Sequence, residues 1–300
     1  MKKTLAMMTA AVMVAGALSG CGSSSSTPAA TTAAATEAAT TAAATAAATD
    51  AATTEAGDTA AAAEGTVKTP SGKFTVGFDQ EFPPMGFVGD DGQFTGFDLE
   101  LAKEVASRLG LEFVPQPINW DAKDMELDSG NIDCIWNGFT MQGREDDYTW
   151  VGPYMANNQV FVVTADSDIA SKADLAGKAV EVQKDSSGLA ALQGEAELSA
   201  SFGSMTEVAD YNTALMDLES GACDAVCMDS IVAGYQIKSS GKDMKILDDT
   251  LSAEEYGIGI KKGEDELAKA VHDTLMDMKD DGTVAKISND WFGSDVFTLK

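Results

Sequence analysis

The folded part of this chain is expected to be an α/β protein, two lobes around a cleft. Three observations point there. From about residue 73 onward, extended apolar runs alternate with stretches of helical period, the pattern of strands joined by crossing helices. An apolar extended run at 159–163 leaves the first half, and the pattern then starts again. Polar residues follow the strand ends in both halves: Asp79 after 74–78, Asn137 and Gly138 after 132–136, Gln183 after 178–182, and Asp229 after 225–228. In open α/β sheets that is where ligands bind.

The elements follow in order. Residues 74–78 alternate as a strand does, the two prolines in 80–87 mark a loop, and 89–92 reads as a turn. Asp98 is placed to cap a helix over 99–109, whose apolar residues recur at Leu101, Val105 and Leu109 before Gly110 stops it. A short strand begins at Phe113 and leads to Trp120, and Asp121 is placed to cap a short helix ending at Ser129. A buried strand over 132–136 opens into a loop over 137–154. In the second half, strands are expected at 178–182, 207–209, 225–228 and 245–247, with helices into the 190s and over 212–220 and 231–238. Residues 256–260 read as a second crossover strand, and helices over 264–279 and 284–292 close the chain. This alternation implies mainly parallel sheets.

The front of the chain is of another kind. Met1, Lys2 and Lys3 are a positive start, and an apolar run too short to span a membrane follows. Residues 1–20 therefore read as a signal peptide. Leu18-Ser19-Gly20-Cys21 resembles the bacterial lipobox, in which the cysteine takes a lipid, palmitate included; an ordinary signal peptide with a chance cysteine is the other reading. Residues 21–68 are Ala/Thr-rich with almost no large apolar side chains, so ordering them buries too little surface to offset the entropy. A disordered tether is expected, its ends roughly 35–40 Å apart as a flexible coil. Ser/Thr-rich tracts of this kind sometimes carry sugars.

A formal net charge of −28 removes nucleic acid as a partner, because phosphate contacts need a basic footprint. Besides Cys21 there are Cys134, Cys223 and Cys227, an odd count. In one extended segment, Cys223 and Cys227 would lie about 13 Å apart at Cα, too far for a bridge, so free buried thiols are expected. The single histidine, His272, lies in a charged helix, which argues against a zinc site and against a Ser-His or Cys-His nucleophile.

Arg144 is one of only two arginines. Arg108 sits in the last turn of a predicted helix, where a cation suits the dipole. Arg144 has no such setting, and a guanidinium is the planar fork that holds a carboxylate by two parallel hydrogen bonds. It is expected either to hold the carboxylate of a small molecule, with Gly138 allowing close backbone approach and Thr140 adding a hydroxyl, or to pair with Glu145, Asp146 or Asp147 on the surface. The other candidates carry plain alternatives too. Phe82 and Trp120 could be packing aromatics, Asp79 a turn former, and Asp229, Ser186 and Ser187 helix caps.

Taken together, FTVGFDQEFPPMGF, GFDLELAKEVASRLG, GNIDCIWNGFTMQGRE, WVGPY, YGIGIKKGEDEL and DGTVAKISNDWFG resemble the family 3 solute-binding proteins, the amino-acid receptors of bacterial ABC importers. The resemblance covers about residues 73–298. It implies a type II periplasmic-binding-protein fold, with lobe 1 from 73–158 and 256–300, lobe 2 from 159–255, and a cleft between lobes joined by two crossover strands. It also implies site roles. Asp79 meets the ligand side chain, and Phe82 and Trp120 sandwich it. The Gly138 carbonyl and Thr140 take the α-amino group, Thr140 also reaching the carboxylate. Arg144 clamps the carboxylate, Ser186 and Ser187 donate to it at a helix start with Gln183 beside them, and Asp229 pairs with the ammonium. Arg144 comes six residues after Gly138, where many members have seven, so a tighter loop or a displaced arginine is expected.

The expected function is capture of a polar amino acid, with no enzyme chemistry, metal or cofactor, by a monomer lipid-anchored on the extracytoplasmic membrane face and docking on an ABC permease. Glutamine, arginine, lysine, histidine and cystine all suit Asp79 with an aromatic pair. The alternatives are an enzyme on the same fold, resembling the cyclohexadienyl dehydratases with Glu81 or Asp79 as general acid, and an amino-acid-sensing surface receptor. No fused signalling domain is expected after Lys300.

Overall fold

The computed structural model describes Thr69 and residues 71–300. The expected signal peptide, Cys21 and tether lie outside the described residues. In chain order the elements are β1 (Lys73–Phe78), β2 (Glu81–Phe82), β3 (Gly86–Val88), β4 (Phe94–Thr95), α1 (Phe97–Arg108), β5 (Glu112–Pro117), α2 (Lys123–Ser129), β6 (Cys134–Thr140) and β7 (Tyr148–Thr164). Then come β8 (Ala179–Gln183), α3 (Ser187–Gly194), α4 (Ala196–Ser201), β9 (Ser204–Val208), α5 (Tyr211–Ser220), β10 (Ala225–Asp229), α6 (Ser230–Ser240), β11 (Met244–Ile246), β12 (Ser252–Lys261), α7 (Asp265–Asp280) and α8 (Thr283–Phe292). A 3-10 turn, Trp120–Ala122, precedes α2.

The main sheet runs β5-β1-β6-β12-β7-β10-β8-β9, with β11 also on β7. It is mixed. β1 pairs in parallel with β5 and β6, and β8 with β10 and β9, but β7 and β12 run antiparallel to all their neighbours. The expectation of mainly parallel sheets therefore holds only for the two flanks. The long β7 pairs with β12 along most of its length, then with β10 through Gln159–Val162. Two strands thus thread the middle of the sheet, and a parallel set lies on each side.

Each flank buries its own helices. On α1 the inward residues Leu101, Ala102, Val105 and Ala106 repeat at helical spacing, and on α5, over β8 and β10 of the other flank, Tyr211, Ala214, Leu215 and Leu218 do the same. Two expected caps are not made. α1 starts at Phe97, and Asp98, inside the first turn and fully buried, sends its carboxyl across to β6 instead. Asp121 falls in the 3-10 turn and pairs with Lys184. The expected loop over 137–154 is also mostly strand: β6 continues to Thr140 and β7 starts at Tyr148. All seven residues of β6 are buried although Asn137 and Thr140 are polar, so hydrophobic periodicity ends before the strand does.

Candidate functional site

Site-forming side chains come from strand ends on both flanks. From the first come Asp79, just past β1, and Asn137, Gly138 and Thr140 in the last half of β6. From the second come Gln183 at the end of β8, Ser186 and Ser187 at the start of α3, and Asp229 at the end of β10. Phe82, Trp120, Asn137, Gly138, Thr140, Arg144, Gln183, Ser186, Ser187 and Asp229 surround a cavity of only about 10 Å³. That is roughly the room of one water, so the walls must part to admit an amino acid, whose sites measure roughly 300–1,000 Å³. Asp79 stands beside it, in a wider depression that shares Trp120, and its Oδ2 accepts from Gln183 Nε2 at 2.6 Å. Of the expected site residues only Asp79 lies off this pocket, one hydrogen bond away.

Gly138 is the pivot. Its φ is +57°, a region L side chains rarely adopt, and a Cβ there would sit 2.9 Å from Phe82 Cε1 and 3.1 Å from Tyr256 Cε2. β6 is bulged here: its pairing with β12 runs Gly257↔Phe139 and then Gly259↔Ile135, so three residues oppose one. The Gly138 N–H leaves the ladder and donates to Asp98 Oδ2 at 2.7 Å, and the same oxygen accepts from Tyr154 OH at 2.8 Å. Burial, only partly offset by these donors, raises the Asp98 carboxyl to about 7.

Arg144 makes no ion pair among the described residues, so the surface-pair alternative is not what the chain forms. A tight turn, closed by Arg144 N–H to Met141 O at 3.0 Å, brings it back over β6. Its guanidinium donates to Thr140 O at 3.2 Å and to Asp185 O, on the other flank, at 3.4 Å, and lies 5.0 Å from the Phe139 ring centroid. Carbonyls and a ring face orient this cation without neutralising it.

Asp229 faces it from the other flank. Its side chain makes no capping bond to α6; Oδ1 accepts from Asn157 Nδ2 and from Tyr256 OH, each at 2.7 Å. Burial first, then the neighbouring Glu254 carboxylate, raises Asp229 to about 7. Ser186 does cap, accepting from Leu189 N–H at 3.1 Å. Asp79 serves its turn as well, its Oδ1 accepting from Glu81 N–H at 2.9 Å, and burial raises it to about 6.

Sequence reasoning missed four polar groups at the site. Asn157 and Gln159 on β7 and Glu254 on β12 are all buried. Lys123, in an acid-rich helix that reads as solvated, is 2% exposed, bonded to the Asp185 carboxylate and 5.2 Å from the Trp120 ring centroid. Only their position on the crossing strands, or a three-dimensional neighbour, reveals them. The flanks also meet through Lys184–Asp121 at 2.6 Å, Asn212–Glu81, and Thr140–Ser187 at 3.2 Å. The cleft is closed.

Comparison with known proteins bears on what closes there. The model of the bacterial extracellular solute-binding proteins, family 3, matches residues 74–294. The chain belongs to that family. As a family 3 member it is 32% identical over 231 residues to the L-cystine-binding protein TcyJ of Escherichia coli, covering 75% of this chain and 84% of that one. It also superposes on a crystal structure of an ABC uptake transporter substrate binding protein from Streptococcus pneumoniae with bound histidine. The TM-score is 0.74 at 34% identity, over 76% of this chain and 96% of that one. An ancestral arginine-binding protein bound to arginine gives a TM-score of 0.70 at 36% identity, over 74% and 99%. This family 3 chain thus has the two-lobed periplasmic-binding-protein fold of type II. Among its described residues no helix is long and apolar enough to cross a membrane.

Proposed function

We propose that this chain is an extracytoplasmic receptor that captures a free polar amino acid and hands it, unchanged, to an ABC importer. The observation that carries this is the contracted pocket between the flanks, where Arg144, without an ion pair among the described residues, and Asp229, from the opposite flank, line the same walls. A zwitterion has one charge for each. Lobe 1 is formed by 73–158 and 256–300 and lobe 2 by 159–255. The two move about β7 and β12, which alone pass between them. Arg144 takes the carboxylate, Asp229 and the Gly138 carbonyl take the ammonium, and Phe82 and Trp120 flank the side chain, which Asp79 and Gln183 meet. Closing brings lobe 2 groups onto a ligand first held by lobe 1, so the ligand favours the closed form by those contacts. Residues 1–20 export the chain, lipid on Cys21 holds it at the membrane, and it docks on the permease as a monomer.

The relatives compared above are described as binding cystine, histidine or arginine, all polar amino acids, and that supports this class of ligand. A thermal-shift screen against the common amino acids and L-cystine tests the function. A ligand at a hundred times its dissociation constant adds about 2.7 kcal/mol of stability. We expect one or a few polar amino acids to raise the melting temperature; no response to any of them counts against the function.

A further inference from the structure

Glu254 stands one layer behind the pocket, opposite Asn157 in the β7–β12 ladder, and is 6% exposed. Its Oε2 is the common acceptor for four donors: Thr140 Oγ1 at 2.9 Å, Gln159 Nε2 at 3.1 Å, Asn157 Nδ2 at 3.2 Å and Ser187 Oγ at 3.3 Å. Thr140 and Ser187 also line the pocket and stand 3.2 Å from each other. A hydroxyl has one proton to give and two lone pairs. A carboxylate gives none and is the stronger acceptor. The Thr140 proton therefore goes to Glu254, its shortest partner. Ser187 already receives Gln159 Nε2 at 3.1 Å, and its own proton goes to Glu254 or to Thr140. Either way, both protons are used inside the triangle of Thr140, Ser187 and Glu254. Only lone pairs are left facing the pocket.

We infer that Glu254 is a positioning residue that turns the Thr140 and Ser187 hydroxyls into acceptors, so that they receive the ligand's α-ammonium and do not donate to its carboxylate. This rests on the function proposed above and refines it. The amino end is met by two hydroxyl oxygens and the Gly138 carbonyl, with two carboxylates around them. The carboxylate end is left to Arg144 and the backbone N–H groups at the start of α3; the role the family resemblance gave Ser187 at the carboxylate is reversed, and Thr140 keeps the ammonium but not its second contact to the carboxylate. It follows that the site selects for a full α-ammonium. An α-hydroxy acid of the same shape brings one proton where three are wanted, and it brings no charge.

The test compares wild type with Glu254→Gln by calorimetry. The probes are L-arginine, L-histidine, L-glutamine and L-cystine, and the α-hydroxy acid counterpart of whichever binds most tightly. Glutamine keeps the shape but can donate to the two hydroxyls, freeing their protons to point at the ligand. Hydrogen bonds to charged groups are worth about 1.5–3 kcal/mol, so we expect the preference for amino over hydroxy acid to fall at least about tenfold. The melting temperature without ligand should fall by no more than several degrees, because Asn157 Nδ2 and Gln159 Nε2, which lose Oε2, keep Asp229 Oδ1 and Ser187 Oγ as acceptors. An unchanged preference in a folded Glu254→Gln variant overturns the inference and leaves the receptor function standing. Should that variant not fold, Glu254→Asp, which draws the carboxylate one methylene back from both hydroxyls, is read by the same ratio. A wild type that binds none of the four probes overturns the receptor function and this inference with it.

Discussion

Asp98 shows how one side chain sets the site without touching it. Gly138 needs a left-handed backbone to pass between Phe82 and Tyr256, and the bulge that provides it costs the Gly138 N–H its place in the ladder. A buried N–H without a partner is expensive, and Asp98 supplies the partner. Removing that carboxyl in Asp98→Ala strands both Gly138 N–H and Tyr154 OH, at roughly 1–3 kcal/mol for each buried donor left unpaired. We expect a melting temperature lower by several degrees together with weaker amino-acid binding; unchanged melting would show that β6 holds its kink without Asp98. Arg144 is the opposite case, a residue whose importance lies in what it does not pair with. Its one-residue-shorter approach from Gly138 is absorbed by the Met141–Arg144 turn, and the guanidinium still reaches the pocket.

At the scale of elements, the two flanks are held together by contacts from β2, α2, the 3-10 turn before it and β6 on one side, and from the β8–α3 junction and α5 on the other. Lys123 to Asp185 is the most buried of these at its cationic end. Asp185 has a φ of +55°, which asparagine tolerates well, so Asp185→Asn removes the charge without adding backbone strain. The buried ammonium then lacks its counter-ion, and the closed form is penalised. Small-angle scattering of the unliganded variant should give a larger radius of gyration than wild type; an equal radius would mean the pair does not hold the lobes shut. Element scale is also where the sequence was most and least legible. The order of strands and helices could be read from alternation and from helical period. The far half of β6 could not, because Asn137 and Thr140 are polar residues buried against the cleft. Asp98 and Asp121 have the local look of caps, and only the fold shows that each has a partner far away in sequence. Glu254 and Lys123 gave no local signal at all. They sit in acid-rich stretches that look solvated and are buried by the other flank. Gly138, Gln183 and Asp229, with Asp79 beside the pocket, were legible because strand ends gather at one edge of an α/β sheet, and Arg144 because it is an arginine in a loop.

For the whole molecule, the buried carboxyls set a pH dependence. Asp79 is raised to about 6, and Asp98 and Asp229 to about 7, each chiefly by burial. The folded chain therefore holds these protons more tightly than the unfolded chain, whose carboxyls ionise near 4. Between about pH 4 and 7 the folded state carries more protons, so stability falls as pH rises through that window and levels off above it. We expect the unliganded protein to melt higher at pH 5 than at pH 8, and relief of the self-repulsion of a net charge of −28 acts in the same direction. Binding should run the other way. A ligand ammonium favours ionised Asp229, so capture near pH 6 to 7 releases protons, and affinity is weaker at pH 5 than at pH 8. Calorimetry in buffers of different ionisation enthalpy reads that release directly; none would mean Asp229 does not change protonation on binding.

The central claim is that opposite charges from the two lobes grip the two ends of one zwitterion. The most direct measurement is calorimetric titration of the best-binding amino acid into wild type, Arg144→Ala and Asp229→Asn. Truncating one side of a buried, hydrogen-bonded charge pair costs roughly 2–5 kcal/mol, so each variant should bind at least about thirtyfold more weakly. A wild-type affinity in a folded Arg144→Ala or Asp229→Asn protein would contradict the claim.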